Sequence, residues 1–405
     1  MSKKPGRRLS PESAMMHHGY NPFLSEGAVI CPEFHSTTYA FKNSRDAENS
    51  FCQQAKESTL VYGRVNHPNA QIFEERLALW ENAESCVSFS SGMAAIFAVC
   101  FEFLKPGSIL LYSEPLYGGS SHLFAEVLNE KMGIHTLGFN NLNLKNKLDF
   151  VRYTYGKVPW MIFVETPANP TNDLVDIENC RRLSRAWKPI IVVDNTFLGP
   201  IYQHPLEHGA DISVYSATKF ISGHSDVIAG ACVGSHQHMD RLRKTRMYLG
   251  SILGPDSASK LLRSLQTLEL RMDRQIRNAE YITKYLSNHP RVERVYSPSL
   301  LTPDNPQFKI YKKQCLAPGA VISFDICGGK REAFRFLDSL KLFKLAVSLG
   351  SNESLAQHPF TMTHAGLSLK DRKRFGITEK MIRLSIGVEN REDLVQDLAQ
   401  ALAIS

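Results

Sequence analysis

The sequence predicts an α/β chain with a mostly parallel central sheet, a smaller C-terminal α/β domain and an N-terminal arm. Three observations predict it. Met161-Ile162-Phe163-Val164, Ile190-Ile191-Val192-Val193 and Ile212-Ser213-Val214-Tyr215 are short apolar or β-branched runs separated by helix-like stretches such as Ile177 to Trp187, the alternation of a parallel sheet. Each run closes on polar groups, namely Glu165, Asp194 and Ser216-Ala217-Thr218-Lys219, so the carboxyl ends of these strands are expected to surround one crevice. Finally, 405 residues exceed what one simple core organises, so a major and a minor unit are expected.

Composition narrows the function classes. With 43% hydrophobic and 21% charged residues the chain is globular, and no apolar stretch approaches the roughly 18 residues of a membrane span. The net charge is +7, but basic residues cluster only at Lys3, Lys4, Arg7 and Arg8. That pattern reads as a solvated tail rather than a nucleic-acid stripe. Eight cysteines, at 31, 52, 86, 100, 180, 232, 315 and 327, show no metal or redox spacing, and no disulfide is implied. No apolar segment of the signal-peptide kind follows the basic start, so a cytoplasmic enzyme or binding protein is expected.

Taken in order, residues 1–65 are rich in Pro, His, Ser and Asn and read as an arm. The arm closes on Tyr62-Gly63-Arg64 beside the turn His67-Pro68-Asn69. Tyr62 and Arg64 share a face if the segment is extended, although an incidental surface turn has the same composition. Residues 66–255 carry the main α/β unit. A helix through Ile72, Leu77 and Trp80 precedes a strand at Val87-Ser88-Phe89, and Ser91-Gly92-Met93 opens a helix running to Leu104. Free amides at such a start form an anion site; a plain tight turn also uses this glycine. After the strand Ile109 to Tyr112, Tyr117-Gly118-Gly119 places an aromatic ring on a turn. His204 and His208 are spaced for one helix face but lack a third ligand, so no metal is expected.

Gly254-Pro255 breaks the chain, and residues 256–405 form the second unit. Ala258, Leu261, Leu265, Leu268, Met272, Ile276, Ala279, Ile282 and Leu286 predict one long helix. Strands are expected at Val321 to Ile326, Leu342 to Ser348 and Met381 to Val388. In the last, Ile382, Leu384, Ile386 and Val388 share one face, which takes Arg383 off the core side. A guanidinium there grips a carboxylate with paired hydrogen bonds or pairs with a neighbouring acid.

The sequence carries no dinucleotide, phosphate-loop or Gly-x-Ser-x-Gly signature. A lysine, an aspartate, a phosphate-type helix start, a turn tyrosine and an off-core arginine remain. Pyridoxal phosphate uses all five: its aldehyde needs an amine and its pyridine nitrogen a carboxylate, while an amino-acid substrate needs a cation. Lys219 would carry the cofactor, Asp194 the ring nitrogen, Gly92, Met93, Ser216 and Thr218 the phosphate. Tyr117 would stack and Arg383 would bind substrate.

The combination Tyr62-x-Arg64, Ser91-Gly92-Met93, Tyr117-Gly118, Glu165-x-Pro167-x-Asn169-Pro170, Val193-Asp194-Asn195-Thr196, Ser216-Ala217-Thr218-Lys219-Phe220, Ser348-Leu349-Gly350 and Arg383-Leu384-Ser385 resembles the Cys/Met-metabolism pyridoxal-phosphate enzymes from about His17 onward. The resemblance implies an aspartate-aminotransferase-like fold (fold type I), a homotetramer of tight dimers, and Tyr62 and Arg64 reaching the phosphate of a neighbouring subunit. It also implies Asn169 at the cofactor, Ser348 at the substrate, and Tyr62 and Tyr117 beside Lys219 in catalysis. Within the family the likeness is nearest the methionine γ-lyase branch, because Val347 stands where enzymes acting on cystathionine commonly have glutamate. Gly119, by contrast, stands where that branch has cysteine. Cleavage of the Cγ–S bond of methionine is therefore expected. Cystathionine γ-lyase, γ-synthase or O-acetylhomoserine sulfhydrylase chemistry is the alternative, and a non-catalytic cofactor-binding protein the alternative of another class.

Overall fold

A computed structural model describes residues 9–51 and 60–405; Cys52 and the basic cluster at 3–8 lie outside the described residues. Seven strands form the larger sheet: β1 Ser85–Phe89, β2 Ile109–Ser113, β3 His135–Phe139, β4 Met161–Glu165, β5 Ile190–Asp194, β6 Ile212–Tyr215 and β7 Gly230–Gly234. Their order is β1-β7-β6-β5-β4-β2-β3. Every pair from β3 across to β6 is parallel, while β7 runs antiparallel to both its neighbours. The strands read most easily from sequence are those buried on both faces, where helices cover the β-branched runs.

Sequence periodicity did not mark β3 or β7. In β7 the composition Gly-Ala-Cys-Val-Gly is set by close approach rather than by strand propensity. A Cβ on Gly230 would stand 2.1 Å from the Ser91 carbonyl oxygen, and one on Gly234 would stand 2.7 Å from that of Asp211.

The second sheet has five strands, β8 Val292–Tyr296, β9 Val321–Ile326, β10 Lys344–Leu345, β11 Leu355–Gln357 and β12 Met381–Ser385, ordered β10-β11-β12-β9-β8. The strand expected over 342–348 shrinks to two residues, because Ser348 takes φ +104° and leaves the extended region. The long helix expected after Gly254 is two helices, Pro255–Leu265 and Leu268–Ser287. Leu265 and Leu268 keep a spacing of three across the joint, so the apolar stripe conceals the break. Arg271 braces it, donating to Ser264 O (3.0 Å) and onward to Phe220 O (2.8 Å) and Ile221 O (3.2 Å). One apolar core, including Phe73, Ala217, Phe220, Leu268, Ile322 and Phe324, joins the two sheets behind the Lys219 loop.

The expected arm is not wholly extended. A short helix, Pro11–His17, buries Ala14 and Met15 in that core, and Ser44–Phe51 forms another. His204 precedes a 3₁₀ turn, Pro205–His208, rather than lying on a helix. Among the described residues no helix is long and apolar enough to cross a membrane.

Candidate active site

The carboxyl ends of β1, β2, β4, β5 and β6 converge, and the charges that close the apolar runs converge with them. Lys219 lies in the turn after β6, held by Lys219 N to Ser216 O and by Gly223 N to Lys219 O. Its ammonium donates to Ser348 Oγ at 2.8 Å. Burial, followed by the charge of Arg383, pulls its pKa down to about 8. The left-handed backbone of Ser348 is part of this placement: its Oγ meets Lys219 while its carbonyl accepts from Arg383 Nη2 at 2.6 Å.

Arg383 occupies the face of β12 opposite Ile382 and Leu384, as the alternation predicts, yet it is only 3% exposed. Nη1 donates to Asn169 Oδ1 at 3.0 Å, and Gln357, in the amide orientation that satisfies its neighbours, accepts from Nη1 at 3.1 Å. All of these partners are neutral. Among the described residues no carboxylate pairs with Arg383, and burial lowers its pKa to about 10. Lys219 likewise rests on a hydroxyl. Two buried cations with neutral partners make a strong anion site.

Asp194 ends β5 and is buried, accepting from Thr196 N (3.1 Å) and Thr196 Oγ1 (2.6 Å). Burial raises its pKa. Thr196 Oγ1 in turn accepts from Ser216 N at 2.9 Å, fastening the Asp194 loop to the Lys219 loop.

At the start of the helix Gly92–Phe103, Ser91 Oγ caps Ala94 N at 3.0 Å. A Cβ on Gly92 would lie 2.9 Å from that of Ser216, so only glycine lets this helix start sit against the Lys219 turn. Amides of Gly92 and Met93 and the Ser216 hydroxyl are thereby brought together. Thr218 Oγ1 donates to Ala229 O (3.1 Å) and accepts from Ala229 N (3.0 Å), next to Gly230, which packs against Ser91 and Gly92 at the helix start. Tyr117 is partly exposed, and its ring lies close over Gly119, where a Cβ would meet Cε1 at 2.5 Å and Met93 Sδ at 3.3 Å.

The remaining residues fall on the periphery. Val347 is exposed beside Ser348. Tyr62 and Arg64 face each other, with the guanidinium carbon 5.7 Å from the ring centre and Nη1 donating to Met247 O at 3.0 Å. Neither bonds to Lys219, Asp194 or Arg383 among the described residues.

A match to the family model for the Cys/Met metabolism PLP-dependent enzymes covers residues 12–403. The chain belongs to this family. It is 39% identical over 390 residues to an L-methionine gamma-lyase of Pseudomonas deceptionensis, covering 96% of each chain. It is 38% identical to a cystathionine gamma-lyase of Rattus norvegicus over 93% of this chain and 91% of that one. A solved cystathionine gamma synthase of Xanthomonas oryzae pv. oryzae, in complex with aminoacrylate and cysteine, superposes with a TM-score of 0.89 at 33% identity and 98% coverage of both chains.

The chain is thus a pyridoxal-phosphate-dependent enzyme of α/β architecture, and its residues fit that cofactor. Lys219 is a buried amine with a lowered pKa, Asp194 a buried carboxylate, and the Gly92 cradle would be filled by any side chain.

Two site residues and the role of a third escaped sequence reasoning. Glu165 was read as the charge closing a strand at the crevice but given no task, yet it accepts from Tyr117 N and Asn169 N, each at 2.7 Å. Gln357 supports Arg383. His364 is buried, with burial and then Arg383 lowering its pKa to about 4. Only for Glu165 was a signal available, a charge closing a strand beside Asp194.

Proposed function

We propose that this enzyme is a carbon–sulfur lyase acting on sulfur-containing L-amino acids, with L-methionine as substrate and 2-oxobutanoate, methanethiol and ammonia as products. The observation that carries the reading is Arg383, a buried guanidinium whose partners are all neutral. A fork of donors there suits an α-carboxylate, and it lies across Ser348 from the Lys219 amine.

Bound pyridoxal phosphate supplies an electron sink that acidifies the substrate's Cα and, in turn, Cβ. Asp194 would pair with the ring nitrogen and keep it protonated, its own charge supported by Thr196. The amides of Gly92 and Met93 and the hydroxyls of Ser216 and Thr218 would hold the phosphate. Tyr117 would stack on the cofactor ring, and its hydroxyl would donate a proton to the departing sulfur. Asn169 fixes both Arg383 and the cofactor's edge.

Lys219 would hold the cofactor through its buried amine. The same amine, placed by Ser348 Oγ, would carry the proton between substrate carbons. Val347 keeps the far end of the pocket uncharged, which suits a thioether methyl. Tyr62 and Arg64 of one copy reach the phosphate of the next within a cytoplasmic homotetramer, where Tyr62 also faces Lys219.

The competing reading is γ-elimination or γ-replacement on cystathionine or O-acetylhomoserine. Gly119 favours it, because a side chain there would displace the Tyr117 ring from its present position. Purified protein assayed against methionine, cystathionine, homocysteine, cysteine, and O-acetylhomoserine with sulfide decides between them. Methanethiol and 2-oxobutanoate from methionine as the fastest reaction are expected. A faster reaction with cystathionine or O-acetylhomoserine replaces the first reading by the second, and no turnover of any rejects both.

A further inference from the structure

Glu165 ends β4 directly opposite Asp194 at the end of β5, so two carboxyl groups stand side by side on neighbouring parallel strands. Both are buried. The reaction scheme uses Asp194 and leaves Glu165 without a task, yet Glu165 fastens both walls of the crevice. Its Oε2 accepts from Tyr117 N and its Oε1 from Asn169 N. Tyr117 is the wall that stacks, and Asn169 is the residue that holds Arg383. One carboxyl group therefore ties the cofactor half to the substrate half. The Tyr117 turn has little freedom to compensate, because a Cβ on Gly118 would lie 2.5 Å from the Thr363 carbonyl oxygen.

Opposing forces act on the charge of this group. Two N–H donors favour the carboxylate, while burial first and the charge of Asp194 second oppose it, lifting its pKa to about 8. The other groups facing Glu165 are uncharged: the Ser113 hydroxyl from β2, which accepts its amide, and the amides of Tyr117 and Asn169. The nearby cations are engaged elsewhere, Lys219 on Ser348 and Arg383 on Asn169 and Ser348. Asp194 is the one neighbour whose charge a ligand can cancel.

We propose that Glu165 is a positioning residue activated by cofactor binding: a pyridinium paired with Asp194 cancels the opposing charge, Glu165 gives its proton to solvent, and the carboxylate so formed clamps the Tyr117 and Asn169 loops. The proposal rests on the assignment of Asp194 to the ring nitrogen. At Glu165 the bond broken is the carboxyl O–H and water takes its proton; the pyridinium proton arrives with the cofactor, and the water lost in joining its aldehyde to Lys219 is the same with or without Glu165.

Calorimetric titration of the apoprotein with pyridoxal phosphate at pH 7, in two buffers of different ionisation enthalpy, counts protons released per cofactor bound. Lys219 and the phosphate contribute equally in wild type and in Glu165→Gln. Wild type should release about one proton more than the variant. A second comparison stays within the wild-type protein: the cofactor analogue with CH in place of the ring nitrogen brings no charge to Asp194, so the excess proton should vanish. Equal counts for both proteins, or an unchanged count with the analogue, overturn the proposal while leaving the cofactor assignment standing. Failure of the wild type to bind pyridoxal phosphate overturns both.

Discussion

Replacing Arg383 by glutamine isolates the substrate half of the site. The guanidinium is buried on β12 with Nη1 on Asn169 Oδ1 at 3.0 Å and Nη2 on Ser348 O at 2.6 Å. A substrate carboxylate adds paired charge-assisted bonds, each worth about 1.5–3 kcal/mol. Truncating one partner of such a buried pair costs about 3–5 kcal/mol. The kcat/KM for L-methionine, read as 2-oxobutanoate released, should therefore fall roughly 10²–10⁴-fold. Stability should not fall with it, because the side chain removed is a buried cation without an anionic partner; thermal melting of the apoprotein checks this. The amine 3-(methylthio)propylamine lacks the carboxylate and should inhibit wild type and variant equally. A loss of less than about fivefold with methionine, or an equal loss of amine affinity, would refute the assignment of Arg383 to the carboxylate.

Other perturbations probe the rest of the crevice. The attacking form of Lys219 is the neutral amine, so uptake of pyridoxal phosphate by the apoprotein, followed by absorbance, should accelerate about tenfold per pH unit below about 8 and level off above it; a flat profile contradicts the placement of this lysine. Val347→Glu introduces a carboxylate beside Ser348. It should shift the cystathionine-to-methionine kcat/KM ratio upward by about fivefold, the worth of one partly exposed ion pair, and an unchanged ratio would remove Val347 from the pocket. Glu81 is buried at the end of the helix Pro68–Trp80, accepts from the Tyr215 hydroxyl, and has its pKa raised well above 4.5, chiefly by burial. The folded state thus keeps a proton that the unfolded state gives up, and stability drains as pH rises above the unfolded value, by about 1.4 kcal/mol per unit. Glu81→Gln should melt near wild type at pH 5 and above it at pH 8, whereas parallel melting curves would show that Glu81 does not hold the proton.

What the sequence made legible follows from how each feature is caused. β4, β5 and β6 are apolar because helices cover both faces, so their runs and terminal charges stood out, and Asp194, Lys219 and Arg383 were readable as charges ending or interrupting apolar patterns. β7 was not readable, because Gly230 and Gly234 answer to the backbones of Ser91 and Asp211, distant in sequence. The joint at Gln266-Thr267 was hidden by an unbroken stripe. In the site, the clamp by Glu165 and the support of Arg383 by Gln357 exist only after folding brings Tyr117, Asn169 and β11 together. Local spacing carries no trace of such contacts.

The central claim is that residue 219 bears the cofactor. Borohydride reduction of the purified yellow protein, followed by digestion and mass mapping, should place a phosphopyridoxyl group on the peptide containing Lys219 and bleach the colour, and Lys219→Ala should carry no such group. A modified peptide elsewhere, or an unmodified Lys219 in protein that has bound the cofactor, would contradict the account.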